Sequence, residues 1–498
     1  MQPHILDEPA VQAPRILRPY DDLPGPPGVP VFGNALQIKA SQFHLQLEQM
    51  CLQYGPFFKL KLGRHKMLVV AEHHAVACVL RDRPDGLRRT SQLEKITLEM
   101  GLPTGLFVAN GDTWQRQRRM VMAGFDPAHV RRYFPALQAV SQRLVGRWQR
   151  AAQSGEAIDL QADLMRYTVD TIAGLAFGAQ VNTLESDADV IQAHLNKIFP
   201  AILRRLLAPV PTWRFFPSPA DRELAHSMAE VNAAVAGFIR QARARLQADP
   251  SLRQHPGNLL EVMILAADEP GSGIDDSQVA GNVLTLLLAG EDTTANTLAW
   301  MIHLLWRHPE ALRRASDEVR RLIVDAAKPT FDQVNALAYV DACAHETMRL
   351  KPVAPLIQLE TLHEMTIADV QVPAGIIVSC LMRRDSVSDN YLPHAVAFEP
   401  ERWLSDGEPQ AAVHDAKRIS MPFGAGPRIC PGRYLALLEM KMAMAALLGN
   451  FDIESVDTPD GKEAREHLAF TMAPVGLRLR LRARSGAANR SAQAPAAG

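Results

Sequence analysis

The stretch Phe423-Gly424-Ala425-Gly426-Pro427-Arg428-Ile429-Cys430-Pro431-Gly432 constrains this chain more than any other, because it reads as a loop that presents one sulfur to a metal. Glycines at 424, 426 and 432 let the backbone turn tightly and approach a flat cofactor. Pro431 pre-sets a first helical position, and the apolar run Tyr434 to Leu448 reads as a helix whose N-terminus faces the sulfur, where thiolate is favoured. Arg428 is placed to neutralise an anionic group on the cofactor. Phe423 is placed to shield the sulfur from water and so tune a redox potential. The plain alternative is a buried structural cysteine beside a Gly/Pro turn.

A second stretch runs from about Ser277 to Arg307, where Pro309 stops it. Its periodicity predicts a helix about 45 Å long, capped by Asp275 or Asp276. At its centre, Leu286-Leu287-Leu288-Ala289-Gly290-Glu291-Asp292-Thr293-Thr294, apolar residues give way to two carboxylates and two hydroxyls, which are costly to bury without partners. Either Asp292 or Thr293 caps a second helix after a break at Gly290, or Ala289-Gly290 admits a ligand to the backbone while Thr293 and Asp292 manage water and protons beside it.

Two further pairs read ambiguously. Trp114 and Arg118, four apart on one helical face, either grip an anionic edge of a ligand or belong to a basic surface helix. Glu346 and Arg349, three apart on a helix over 340–350 that Pro352 ends, would in isolation be a surface ion pair of little worth.

The rest of the chain reads as mainly α. Helical periodicity recurs through 132–152, 158–177, 222–247 and 258–267, while 57–63 and 66–71 read as paired strands. A proline-rich lead-in occupies 23–34. The expected organisation is a flexible segment 1–22, one domain over 23–484 with no flavin or iron–sulfur domain appended, and a disordered tail 485–498. With 53 basic against 54 acidic residues, nothing global suggests nucleic acid. The five scattered cysteines fit neither a disulfide framework nor a zinc cluster. No apolar run near the N-terminus is long enough to span a bilayer, so a soluble, cytoplasmic protein is expected.

The loop matches Phe-x-x-Gly-x-Arg-x-Cys-x-Gly, and in this it resembles the haem-ligand loop of the cytochrome P-450 superfamily. The resemblance extends through Trp-x-x-x-Arg at 114–118, the Ala-Gly-x-Asp-Thr-Thr string at 289–294, Glu-x-x-Arg at 346–349 and Pro-Glu-Arg-Trp at 400–403. It implies the superfamily's triangular, mainly α fold with a small β region, holding haem b between the long helix and the cysteine loop. By that resemblance Cys430 would ligate the iron; Phe423, Gly424, Arg428, Trp114, Arg118, Ala289 and Gly290 would contact the haem, Trp114 and Arg118 at a propionate; and Thr293 and Asp292 would deliver protons on the oxygen side. Glu346, Arg349 and Arg402 would form a buried structural triad under the cysteine loop.

Similar proteins carry a propionate-binding arginine where this chain has Leu359, so that contact is not carried over. Val353, Ala354, Leu356 and Ile357, with Thr285, Phe470, Thr471 and Met472, would face the substrate, as would parts of 87–109 and 195–216. Arg204, Arg205 or Arg214 would either bind a substrate carboxylate or lie on a solvated face.

The implied reaction inserts one atom of O2 into a lipophilic substrate such as a fatty acid, terpenoid or steroid. Electrons would come from a ferredoxin with its NAD(P)H-dependent reductase, or from a flavodoxin-type donor, docking on a monomer near Arg116, Arg119, Arg131 and Arg132. The soluble, bacterial type is implied. The rivals are a haem-thiolate peroxygenase or isomerase, and a non-catalytic haem sensor or carrier.

Overall fold

The computed structural model describes residues 17–125, 127–179, 181–185, 190–404 and 416–484. Of the two segments expected to lack fixed structure, residues 1–16 and the tail 485–498 lie outside the described residues. Residues 18–22, also expected to be flexible, instead pack on the body. Arg18–Pro19 pairs in parallel with Val370 and Gln371, Arg18 holds Asp369 at 2.8 Å, and buried Tyr20 donates its hydroxyl to the Met67 carbonyl. Burying one aromatic ring anchors the segment.

The long helix spans Asp276–Arg307 without interruption, which removes the reading of a helix end at Gly290. Asp275 caps it: its carboxylate accepts from the Gln278 N–H while the Gln278 side chain accepts from the Asp275 N–H. Leu287, Ala295, Leu298, Ala299, Trp300 and Met301 are all buried, the all-round burial of a helix running through a large core. Against it pack Leu160–Phe177, Ala338–Leu350 and Arg433–Asn450. The other expected helices stand at Pro127–Ser154, Pro219–Ala248 and Leu259–Asp268. Pro431 does not open the last helix: Gly432 is its N-cap and Arg433 its first residue.

The main sheet is small. Phe57–Leu62 and His65–Val70 form the expected hairpin; Ile377–Leu381 joins it in parallel, followed by antiparallel Leu356–Thr361 and the edge strand Leu87–Arg89. A separate hairpin of Glu466–Leu468 and Met472–Pro474 reaches the central helix, with Phe470 at its tip held at φ 90°. A phenylalanine in that left-handed region is strained, and such strain persists where surrounding contacts hold it.

Candidate active site

The cysteine loop is shaped by backbone contacts. The Cys430 N–H donates to the Phe423 carbonyl at 2.9 Å. At Gly426, where φ is 70°, a Cβ would stand 2.7 Å from Arg81 Cα, so only glycine lets the loop lie on the helix His73–Arg81. Phe423 packs on the main core. Burial pushes the Cys430 thiol upward, against the downward pull of the Gly432 N–H, Arg118 and Arg433. The helix N-terminus therefore does not make the thiolate by itself; a metal binding the sulfur would displace the proton.

Beside the loop lies a cluster of arginines that the sequence did not announce. Arg428 lies over the Trp114 ring at 4.6 Å and donates to the Ala109 carbonyl at 2.6 Å. Arg89 lies over Phe107 at 4.3 Å and donates to its carbonyl at 3.2 Å. Arg83 donates to the carbonyls of Leu80 and Ala425. Burial, aided by mutual repulsion, pushes Arg89 down to about 9 and Arg428 to about 10; burial also takes Arg83 to about 10 and lowers Arg118, whose neighbours include Cys430. Among the described residues none of these four arginines has a carboxylate partner, and Arg428 Nε is buried without any hydrogen bond. Enclosed cations without counter-charge suit a ligand bearing carboxylates.

On the central helix, Thr293 donates back to the Ala289 carbonyl at 2.7 Å. The Asp292 carboxylate accepts from Asn296 Nδ2 at 2.9 Å and from the Thr471 hydroxyl, and Asn296 in turn accepts from Gln161 at 3.1 Å. Burial pushes Asp292 up, while Thr471 and Asn296 restrain the shift. A cavity of about 190 Å³ lies here, lined by Leu195, Phe199, Leu288, Asp292 and Thr471 among others. Phe199, which lines this cavity, stacks on Phe470 at 4.8 Å, and Phe470 meets Phe107 edge-on at 5.9 Å, joining three separate segments. Ala289 is exposed, but Gly290 does not open the helix to a ligand as expected: a Cβ there would stand 2.6 Å from Ile172, so this glycine serves packing against Leu160–Phe177.

Comparison with known proteins now bears directly on these residues. The family model for cytochrome P450 matches residues 23–481. The chain belongs to the cytochrome P450 family. It is 27% identical to the cyclooctat-9-en-7-ol 5-monooxygenase of Streptomyces melanosporofaciens, over 88% of this chain and 91% of that one. It is 30% identical to a self-sufficient cytochrome P450 monooxygenase of Oidiodendron maius, covering 93% of this chain but 42% of that longer protein. Among solved structures, the haem domain of cytochrome P450DA superposes with a TM-score of 0.80 at 25% identity, covering 94% of this chain and 99% of that one.

As a P450 the chain is a monooxygenase, of a family that uses haem with a cysteine thiolate ligand and draws electrons from a redox partner. Among the described residues no helix is long and apolar enough to cross a membrane.

The expected scaffold triad forms in this P450. Arg349 meets Glu346 through two bonds of 2.7 Å with both side chains fully enclosed, and Arg402 reaches Glu346 at 3.2 Å. Trp403 Nε1 adds a bond of 2.8 Å to Glu346, and Arg349 also donates to the Ala395 and Ala397 carbonyls, fastening the segment before the cysteine loop.

Other expectations need correction. Arg204 and Arg205 both bind Asp221 at 3.1 Å, and Arg214 binds Glu99 at 2.8 Å, so none is left for a substrate carboxylate. Arg131 pairs with Asp332 and lies over the Phe331 ring yet stays exposed, as do Arg119 and Arg132; of the four expected only Arg116 is half-buried, against Gly273. Met472 is fully enclosed, donating to the Val353 carbonyl at 2.8 Å, and belongs to the core. Thr285 donates back to the Gly281 carbonyl and abuts Gly105. Val353, Ala354, Leu356 and Ile357 are half-buried.

Proposed function

We propose that this P450 inserts one atom of O2 into a lipophilic organic substrate of terpenoid, fatty-acid or steroid type. Cys430 holds the haem iron, while Trp114, Arg118, Arg428 and Arg89 face the propionates. The thiolate-bound haem supplies O–O cleavage and oxygen transfer. The chain's own residues do the rest: Phe470, Phe199 and Phe107 exclude water and bind apolar surface, while Asp292 and Thr293 hold and pass protons.

The observation that carries this reading is the Asp292 carboxylate: half-buried at the wall of the cavity, held by two donors, on an unbroken helix next to Thr293. A haem carrier has no need of such a group, and an isomerase or peroxygenase needs no relay of protons from solvent. The terpenoid option gains from the named reaction of the Streptomyces relative. Electrons arrive from a separate ferredoxin with its NAD(P)H-dependent reductase, on a face bearing exposed Arg119 and Arg132, with Arg433 near Cys430. The protein works as a cytoplasmic monomer.

The test is product formation dependent on NADH and O2 with a ferredoxin system. Wild type forms product and Thr293→Ala diverts electrons to peroxide. Unchanged coupling in Thr293→Ala would overturn the assignment of proton delivery.

A further inference from the structure

A cleft of about 1100 Å³ opens beside the last turns of the helix Arg433–Asn450, lined there by Met442, Ala446 and Asn450. These residues stand about 15 Å or more along the helix from the cysteine loop, so the cleft is separate from the candidate active site. The facing wall is the helix Pro127–Ser154, which turns Gln138, Gln142, Val145 and Gln149 to the cleft at the spacing of one helical face. Gln138 and Gln142 close one side of it by donating to the carbonyls of Pro329 at 3.0 Å and Ala327 at 2.8 Å. Gly146 leaves the middle open: a Cβ there would meet nothing nearer than Arg150 Nη1 at 3.9 Å.

The charge of the cleft is unbalanced. Arg320, Lys328, Arg482 and Arg484 line it against Asp325 and Asp452, four positive groups to two negative. Asp452 is held by Arg320 at 2.8 Å and gives Arg482 only a contact of 3.5 Å. Lys328 and Arg484 have no carboxylate partner among the described residues. The Arg484 backbone is fixed, its N–H donating to the Asn450 carbonyl at 3.1 Å, yet its Nη1 is buried without a hydrogen bond. A guanidinium nitrogen shut from water and lacking an acceptor is costly, and a phosphate oxygen supplies one. Beside these cations Val145, Met442 and Ala446 form an apolar strip, with the Gln149 amide at its edge. A singly charged amphiphile would leave one of the two excess positive charges unmet, and a bare phosphate would leave the strip in water.

We propose that this cleft binds a nucleoside polyphosphate, with the phosphates on Arg484 and Arg482 in the positive field of Lys328 and the base on Val145, Met442 and Ala446.

The purified full-length haem protein is titrated calorimetrically with ATP, adenosine and pyrophosphate. ATP should bind, more weakly as salt is raised, and adenosine and pyrophosphate should each bind about tenfold more weakly or worse, since each lacks half of the recognised groups. Arg484→Ala should weaken ATP about tenfold, the loss of one charge-assisted contact. Gly146→Leu, which fills the open middle of the cleft, should abolish ATP binding. Both variants should keep the wild-type melting temperature and carbon monoxide spectrum. Wild type that fails to bind ATP at millimolar concentration overturns the proposal, as does equal affinity of wild type and Gly146→Leu for ATP. Pyrophosphate bound as tightly as ATP leaves the apolar strip without a part and also overturns it.

Discussion

Arg89 stands directly across the sheet from Leu359, its partner in the antiparallel register of Leu87–Arg89 with Leu356–Thr361. Directly opposed residues project on the same face, about 5 Å apart at Cβ. The neighbouring pair, Arg88 with Glu360, closes as an ion pair at 3.0 Å, whereas Arg89 has no carboxylate partner among the described residues and lies near Arg428. An arginine thus stands on the adjacent strand, opposite the position where similar proteins carry one.

If Arg89 binds a haem propionate in place of a residue at 359, Arg89→Leu removes one charge-assisted contact worth about 1.5–3 kcal/mol. Haem transfer to apomyoglobin should then be about tenfold faster or more. Adding Leu359→Arg to that variant should restore much of the retention. Wild-type haem loss in Arg89→Leu would refute the assignment.

Gly290 yields a packing prediction. A Cβ there would press on Ile172 at 2.6 Å, and overpacking of this kind costs about 1–3 kcal/mol. Gly290→Ala should lower the urea midpoint, and Ile172→Val should recover part of the loss, because the atoms met are the end of that side chain. If Gly290 instead admitted a ligand, the second substitution would not help.

Glu439 sets a dependence of stability on pH. Burial pushes its carboxyl from 4.5 up to about 8, against a hydrogen bond from Thr294, and its Oε1 has no hydrogen-bond partner. The folded state keeps this proton while the unfolded chain releases it, so the folded state binds more protons between pH 4.5 and about 8. Stability must therefore fall as pH rises across that window. Glu439→Gln should flatten the fall and raise unfolding free energy near pH 7 by a few kcal/mol, as urea titrations at several pH values would measure.

What could be read in advance follows contact range. The cysteine loop and the cap at Asp275 are set by residues within a few positions and stand where local pattern put them, whereas the Glu346–Arg349 pair, locally a surface ion pair, is buried by Arg402 and Trp403 from more than fifty positions away. The position of Arg89 beside Leu359 depends on a strand register linking residues 270 positions apart, which no local signal encodes. The same holds for Arg204 and Arg205, whose partner Asp221 lies on the next helix, and for the stacking of Arg428 on Trp114. Residues 18–22 looked ragged because their anchors, Asp369 and Met67, are remote.

The bond from Thr471 to Asp292 offers the sharpest check on proton delivery. Thr471 sits on the hairpin next to strained Phe470, and with Asn296 it favours the charged form of a carboxylate that burial pushes toward the neutral form. Thr471→Val deletes a donor to the charged form while keeping nearly the same volume, so the Asp292 pKa must rise further. In the pH profile of kcat/KM, the limb governed by Asp292 should move to higher pH, and product formed per NADH should fall. Asp292→Asn should remove that limb altogether, and Thr471→Val added to it should then have no further effect on the profile. A limb that stays in place in Thr471→Val, with coupling intact, would mean that Asp292 does not carry the proton.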